Sequence, residues 1–439
     1  MDWQKLLSSK RIIIPSEFHR EAVPDARSEF ERDFSRILYS NAFRRLHNKT
    51  QLFPMPANDH VHSRLTHSLE VSDVGWALGR LCGQRIIEKY PILRNVDIQA
   101  TDFGNIVASA CLAHDIGNPP FGHKGEDAIA SFFRSVEAIN YVNLLSDHQT
   151  ADLQGFEGNA QGLRIISRIS ERVNRGGMRL TAATVGAFSK YPQCSTSVKP
   201  EATETKVDRK FGIFSTELDY FREVANELGL IELETNSWCR HPLAFLMEAA
   251  DDICYNILDL EDGFILKLVS YESFRDVIQP IAQIESRKLD ESSSYSEKVG
   301  HLRAKAIGRL VGEVIRIFSD QESAILQGER KHNLIEDSAL KKEIKAIKDI
   351  TRSTCYASPI VVKTEIAGYR VLKTVLSELL TALFREDGNA GIWVVDRPPG
   401  AASPIDKIMW ATDYVSCMTD RYAITTYRHL LGITLPADE

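Results

Sequence analysis

No CxxC pair occurs in this chain, and its seven cysteines (82, 111, 194, 239, 254, 355 and 417) are odd in number. That usage argues against a disulfide-framed secreted module and suits a reducing cytosol. Cys111 and Cys254 stand in apolar helical runs, where a free thiol packs as a small hydrophobe. Long hydrophobic runs are missing as well. The opening Met1-Asp-Trp-Gln-Lys-Leu-Leu has no signal-peptide core, and no stretch approaches the roughly 20 apolar residues of a membrane span. Charge of one sign is scarce: 53 basic against 60 acidic residues leave a formal charge of −7. This argues against wholesale coating of nucleic acid or of an anionic membrane surface, and leaves room for a local basic pocket. No internal repeat of solenoid period is found. With 439 residues, 43% hydrophobic and 26% charged, the chain has ample material for a core. We expect a soluble cytoplasmic protein.

What is present is helical periodicity. Residues 65–90, 105–116, 124–138, 160–175, 216–229, 243–260, 301–318 and 336–350 carry apolar side chains at helical spacing. The clearest stripe, over 368–386, is Val371, Leu372, Val375, Leu376, Leu379, Leu380 and Leu383, with Gly388 as the stop. Strand signals are short: residues 11–14, 360–363 and 392–395. The expected class is therefore all-α. Residues 193–210 read as a long mobile loop and 285–298 as a solvated connection. The expected organisation is a body over 1–285 and a mainly helical part over 286–439, packed on that body.

Chemistry enters at His114-Asp115, which ends an apolar run and precedes Ile116-Gly-Asn-Pro-Pro-Phe-Gly-His123-Lys-Gly-Glu126. Ionisable groups ending a helix built for burial are costly unless something pairs with them, and an imidazole beside a carboxylate suits a divalent metal. Such an ion wants about four protein ligands, with open positions left for water or substrate. Upstream, His60, His62 and His67 are available, and only His67 leads into a plainly helical run. Downstream, helical spacing puts Asp251, Tyr255 and Asp259 on one stripe of an otherwise apolar segment, as a cavity-lining face would require. Asp252 lies about 100° around. His67, His114, Asp115 and Asp251 thus form a His2Asp2 candidate set. It suits Mg or Mn and also accepts Fe, Co or Ni. Arg44, Arg45, Arg164, Arg168, Arg172, Arg175 and Arg179 suggest either a basic groove or, at these spacings, a solvated helix face.

The order His…His-Asp…Asp resembles the HD-domain phosphohydrolases, and longer words resemble the bacterial deoxyguanosine triphosphate triphosphohydrolases. These words are Asn41-Ala-Phe-Arg-Arg-Leu-His-Asn-Lys-Thr-Gln51-Leu-Phe-Pro, Arg64-Leu-Thr-His67-Ser-Leu-Glu and the His114–Glu126 segment already quoted. Further on come Phe156-Glu-Gly-Asn159-Ala-Gln-Gly, Met247-Glu-Ala-Ala-Asp251-Asp-Ile-Cys-Tyr255, Gly368-Tyr-Arg370 and Asp413-Tyr-Val-Ser-Cys-Met-Thr-Asp420. They span almost the whole chain in the family's order.

The resemblance implies a helical HD fold and cleavage of a dNTP, dGTP foremost, into deoxynucleoside and tripolyphosphate. It makes His67, His114, Asp115 and Asp251 the metal ligands and His123 with Glu126 the proton-transfer pair. Arg64, Lys190 and Lys210 hold phosphates, and Asn159 faces the same region. Tyr255 lies under the sugar, Gln51 and Asp259 bind the 3′-hydroxyl, and Arg370 reaches a nucleotide, if need be across a subunit boundary. It also implies homo-oligomers, often hexamers, and effectors such as a second nucleotide or single-stranded DNA. A ring against C2′ leaves an extra ribose hydroxyl desolvated without a partner, which is a physical route to deoxy selectivity. Two other readings stay open: an HD phosphodiesterase acting on another nucleotide, and a catalytically silent nucleotide- or DNA-binding regulator.

Overall fold

Capping chemistry sets where many of the helices begin. The computed structural model describes residues 1–12, 26–55, 58–169, 177–198, 210–285, 294–385 and 402–435. Ser28 accepts the Glu31 amide and opens α1 (Glu29–Leu38), and Ser63 accepts the Thr66 amide and opens α2 (Arg64–Lys89). Each bond satisfies one of the orphan donors of a first turn. α3 (Ala100–Ala113) ends at His114, and α4 (His123–Phe133) begins at His123 after a tight turn. α5 (Asp147–Gln154), α6 (Gly158–Arg164) and α7 (Ala182–Phe188) follow. α8 (Leu218–Leu228) leads to the hairpin β1 (Glu232–Glu234) and β2 (Ser237–Trp238), an antiparallel pair with Glu232 opposite Trp238.

α9 (Pro242–Ile265) starts with Pro at its first position and His241 as its cap, the arrangement expected where the missing proline N–H costs nothing. α10 (Tyr271–Ala282), α11 (Tyr295–Leu326), α12 (Lys341–Thr351), α13 (Pro359–Phe384), α14 (Pro404–Ser416) and α15 (Asp420–Leu430) complete the helices of seven residues or more among the described residues. The fold is mainly all-α, and no described helix is long and apolar enough to cross a membrane.

α9 is the buried axis of the molecule, with Leu243, Phe245, Leu246, Ile253, Ile257 and Leu260 all within the core. It packs against α2, α3, α11 and α12. α2 and α3 approach so closely that a Cβ at Gly79 would lie 2.5 Å from the Phe103 carbonyl oxygen. One core cluster runs from Trp3 to Val361; a second joins α4 and Phe156 to α13, α14 and α15. Each cluster therefore mixes residues from before and after position 286.

Several sequence expectations need correction. Residues 360–363 form the first turn of α13, not a strand. Ile360, Val361 and Val362 have local strand preference, but Pro359 starts the helix and only Val361 of the three is buried. Arg11 bridges Thr181; residues 13 and 14, the 392–395 strand and Gly388 lie outside the described residues. The 160–175 helix ends at Arg164 and continues as a π-turn, Ile165–Ile169. Within 193–210, residues 193–198 are anchored by bridges from Gln193 to Ser237 and from Cys194 to Ile213. The 285–298 connection is already helical from Tyr295. Arg164 belongs neither to a groove nor to a solvated face: it is buried and paired with Asp413 at 2.8 Å and Glu217 at 2.7 Å.

Candidate functional site

The sharp turn after α3 brings the two halves of the site together. Gly117 has no room for a side chain, since a Cβ there would meet the Gly158 carbonyl oxygen at 2.1 Å. His114 and Asp115 face α9 from the end of α3, and His67 faces it from α2. His67 Nε2 lies 3.2 Å from Asp251 Oδ1. His114 Nε2 lies 3.5 Å from the same oxygen and 3.6 Å from Asp115 Oδ1. Ligand-type atoms of His67, His114 and Asp115 all lie within 4.8 Å of one another.

Three observations fit this quartet to a divalent ion. His114 Nδ1 is 2.6 Å from the Cys111 carbonyl, so Nδ1 carries a proton and the ring is turned with Nε2 toward the centre, where a bound ion would take the place of the Nε2 proton. That Nε2 is buried without a hydrogen-bond partner among the described residues, an arrangement that calls for a ligand. Electrostatics agree. Burial opposes charge on His114, yet Asp115 and Asp251 outweigh it and raise the imidazole to about 9. Burial likewise pushes the Asp251 carboxyl up, while His114, His67 and Lys190 hold it well below the usual range. The quartet stabilises positive charge at its centre.

With His67 buried behind them, His114, Asp115 and Asp251 open into a cavity of about 880 Å³, within the size range of small-molecule sites. Gln51, Arg64, His123, Asn159, Lys190, Lys210, Tyr255 and Asp259 all line it. Arg64 is buried and ion-paired to Asp115; against the upward push of burial, that guanidinium and the two histidines bring the Asp115 carboxyl to about 2. Lys190 Nζ lies 3.5 Å from Glu248 and Lys210 Nζ lies 3.1 Å from Glu157. Gln51 Oε1 is buried and has no partner among the described residues.

His123 stands at the cavity rim, its side chain 80% exposed, with Nδ1 2.7 Å from Glu126 Oε2. The other Glu126 oxygen accepts the Gly158 amide at 2.7 Å. The Glu126 bond raises the His123 pKa. Burial pushes the Glu126 carboxyl up, but His123 and Lys210 leave it below its ordinary value. Such a pair can hold and move a proton near neutral pH.

On α9, Asp251, Tyr255 and Asp259 do face the cavity as one stripe, and Asp252 joins them. Asp252 accepts from Asn333 Nδ2 at 2.9 Å; burial, with Glu248 nearby, pushes its carboxyl up to about 7. Burial raises Asp259 to about 6 even though Tyr356 donates to it at 2.6 Å. Sequence reasoning did not find Asn118, Lys348, Arg352 or Tyr356, which also line the cavity. No local word marked the last three, because α12 and the turn after it reach the site only through tertiary packing. His62, available upstream, is instead held by Asp262 at 2.7 Å and Glu70 at 3.0 Å. Arg370 is exposed on α13 and does not line the cavity.

The deoxyguanosinetriphosphate triphosphohydrolase-like protein of Synechocystis is 43% identical over 450 residues, covering 99% of this chain and 100% of the relative. A Pseudomonas aeruginosa protein of the same description is 37% identical over 453 residues, covering 100% of both. The deoxyguanosinetriphosphate triphosphohydrolase of Klebsiella pneumoniae is 31% identical over 487 residues, covering 92% of this chain and 94% of the relative. No family model matches the chain.

Proposed function

Because the chain belongs to the family of deoxyguanosinetriphosphate triphosphohydrolases and triphosphohydrolase-like proteins, we propose that it is a metal-dependent dNTP triphosphohydrolase with dGTP as preferred substrate. The observation that carries this reading is a cavity lined by His114, Asp115, Asp251, Lys190, Lys210 and His123, with His67 closing the cluster behind His114 and Asp251 and Glu126 bonded to His123. In the reaction, water adds to the α-phosphorus, the bond to O5′ breaks, and a proton ends on the departing 5′-oxygen. The products are a deoxynucleoside and tripolyphosphate.

The quartet would hold a divalent ion, which would supply charge neutralisation and Lewis-acid polarisation at the phosphate. Lys190, Lys210 and Arg64 balance the remaining phosphate charge, with Asn159 facing the same region. His123 carries the proton, and Glu126 orients the ring and stabilises its charged form. The 3′-hydroxyl sits between the Gln51 amide and the Asp259 carboxyl, donating its one hydrogen to one of them and accepting from the other. The Tyr255 ring closes the space against C2′, so a ribose hydroxyl is desolvated there without compensation. Arg370, exposed on α13, serves the nucleotide of a second copy in a homo-oligomer. Residues 1–285 supply the metal and proton-transfer residues, and the described helices from Tyr295 onward pack with them, bring Lys348, Arg352 and Tyr356 to the cavity and contribute to oligomer contacts.

The test is incubation of the purified protein with each dNTP and with GTP, in Mg or Mn, with nucleosides resolved from mono- and diphosphates. Deoxynucleoside with tripolyphosphate is the expected product pair, fastest from dGTP. Mono- or diphosphate products place cleavage at another bond and overturn the reading.

A further inference from the structure

The sequence word Asp413-Tyr-Val-Ser-Cys-Met-Thr-Asp420 has no role in the chemistry above, yet it lies directly behind the site. Asp420 is the first residue of α15 and is 1% exposed. Its Oδ2 accepts the Thr50 amide at 2.9 Å and also the Thr50 hydroxyl. Its Oδ1 accepts the Phe121 amide at 3.1 Å. Lys49, equally buried, donates to the Ser416 carbonyl at 2.9 Å and to the Asn118 carbonyl. The segment 416–420 therefore bridges residues 49–50 and the turn 118–121, which are otherwise far apart in the chain.

Both bridged segments end on a site residue. Thr50 precedes Gln51, whose Oε1 is buried in the cavity with no partner among the described residues. Phe121 and Gly122 precede His123, and both have positive φ, 62° and 59°. A non-glycine residue in that region persists only where its surroundings hold it. Here the Asp420 carboxylate grips the Phe121 amide, and the Phe121 ring packs on Gly368 of α13, where a Cβ would come within 2.4 Å. The N-terminus of α15 also favours a buried carboxylate at this place.

We propose that Asp420 is a positioning residue whose carboxylate ties the Gln51 segment to the turn carrying His123, fixing the spacing between the 3′-hydroxyl contact and the proton-transfer pair. The proposal rests on the sugar and proton-transfer roles given above. An asparagine cannot replace this carboxylate, because both oxygens accept from N–H or O–H donors and an amide presents one acceptor and one donor.

The experiment compares dGTP with 2′,3′-dideoxyguanosine triphosphate in the wild type, Asp420→Asn and Thr50→Val, following tripolyphosphate release. Asp420→Asn is expected to lower kcat/KM for dGTP by on the order of a hundredfold. It is also expected to compress the dGTP-to-dideoxy ratio by about tenfold, the loss of one well-placed hydrogen bond. Thr50→Val, which loses only the hydroxyl donor, gives a smaller compression and keeps the test alive should Asp420→Asn fail to fold. Equal losses on both substrates make the contact merely structural and overturn the proposal. A second readout is amide hydrogen exchange without nucleotide: residues 50–52 and 117–123 exchange faster together in Asp420→Asn. Unchanged exchange in either segment overturns the tie irrespective of activity. No hydrolysis by the wild type overturns the proposed function, and the exchange result still decides the tie.

Discussion

His123 Nδ1 and Glu126 Oε2 lie 2.7 Å apart, one turn along α4, and the second Glu126 oxygen is anchored on the Gly158 amide. The carboxylate is buried and the imidazole is exposed, so the anion is fixed and the proton carrier faces the cavity. Hydrogen bonding and charge from Glu126 raise the His123 pKa. Glu126→Gln removes that anion, so the limb of the pH–rate profile belonging to His123 shifts to lower pH. If His123 acts as the acid, activity in the variant is lost at a lower pH on the alkaline side. If it acts as the base, activity survives to a lower pH on the acid side. A kcat/KM profile with the limb unmoved detaches Glu126 from His123.

His123→Ala is expected to lower kcat by about 10²–10⁴-fold, the usual range for a proton-transfer group. Metal content and dNTP affinity, read by elemental analysis and calorimetry, stay near wild type because His123 lies outside the quartet. Loss of metal together with turnover would mean that His123 belongs to the ion.

His67 Nε2 and His114 Nε2 share the Asp251 Oδ1 environment at 3.2 and 3.5 Å. Removing one member of such a set opens the site and costs affinity on the order of 10–100-fold even for supporting groups. Asp251→Ala and His67→Ala should therefore purify with little metal after dialysis and show no turnover. Full activity in either variant would remove the quartet from the chemistry.

Tyr255 lines the cavity between Asp251 and Asp259. If its ring excludes a 2′-hydroxyl, Tyr255→Ala raises the GTP-to-dGTP ratio of kcat/KM by about 10–100-fold, the weight of one unpaired buried polar group. Competition assays with both nucleotides measure this directly, and an unchanged ratio sinks the sugar-gate role.

How much of this was legible in the sequence depends on distance along the chain. The Asp251, Tyr255 and Asp259 face follows from 3.6 residues per turn, so it could be read locally. His67, His114 and Asp115 followed from their ligand chemistry and helical setting, and the structure clusters their ligand atoms; the family words carried the His123–Glu126 pair, whose imidazole lines the cavity with Glu126 bonded to it. Arg164 was misread because its partners Glu217 and Asp413 lie 53 and 249 residues away. Tyr356 was missed for the same reason, its bond to Asp259 spanning 97 residues. The 360–363 helix was hidden by β-branched side chains whose strand preference yields to the helix start at Pro359. Burial and ion pairing at long range leave no local period to read.

His241 offers a test of the core independent of catalysis. It is 1% exposed, its Nε2–H donates to the Leu6 carbonyl at 2.9 Å, and its Nδ1 accepts the Leu243 amide at 3.1 Å to cap α9. Both ring nitrogens are thus committed to the neutral tautomer, and burial lowers the pKa to about 4. Above the unfolded-state value of about 6.5 neither state binds the proton, and the neutral ring contributes in full. Between about 6.5 and 4 the unfolded chain takes a proton that the native state refuses, so stability falls as pH falls, by about 3 kcal/mol at the lower end. Urea unfolding of the wild type and His241→Asn, whose side chain also caps a helix, isolates this contribution because other titrating groups are common to both. The wild type is expected to be the more stable at pH 7, with its advantage shrinking by about 2 kcal/mol at pH 5. Parallel pH curves for the two proteins would show that His241 titrates normally and is not locked neutral by the core.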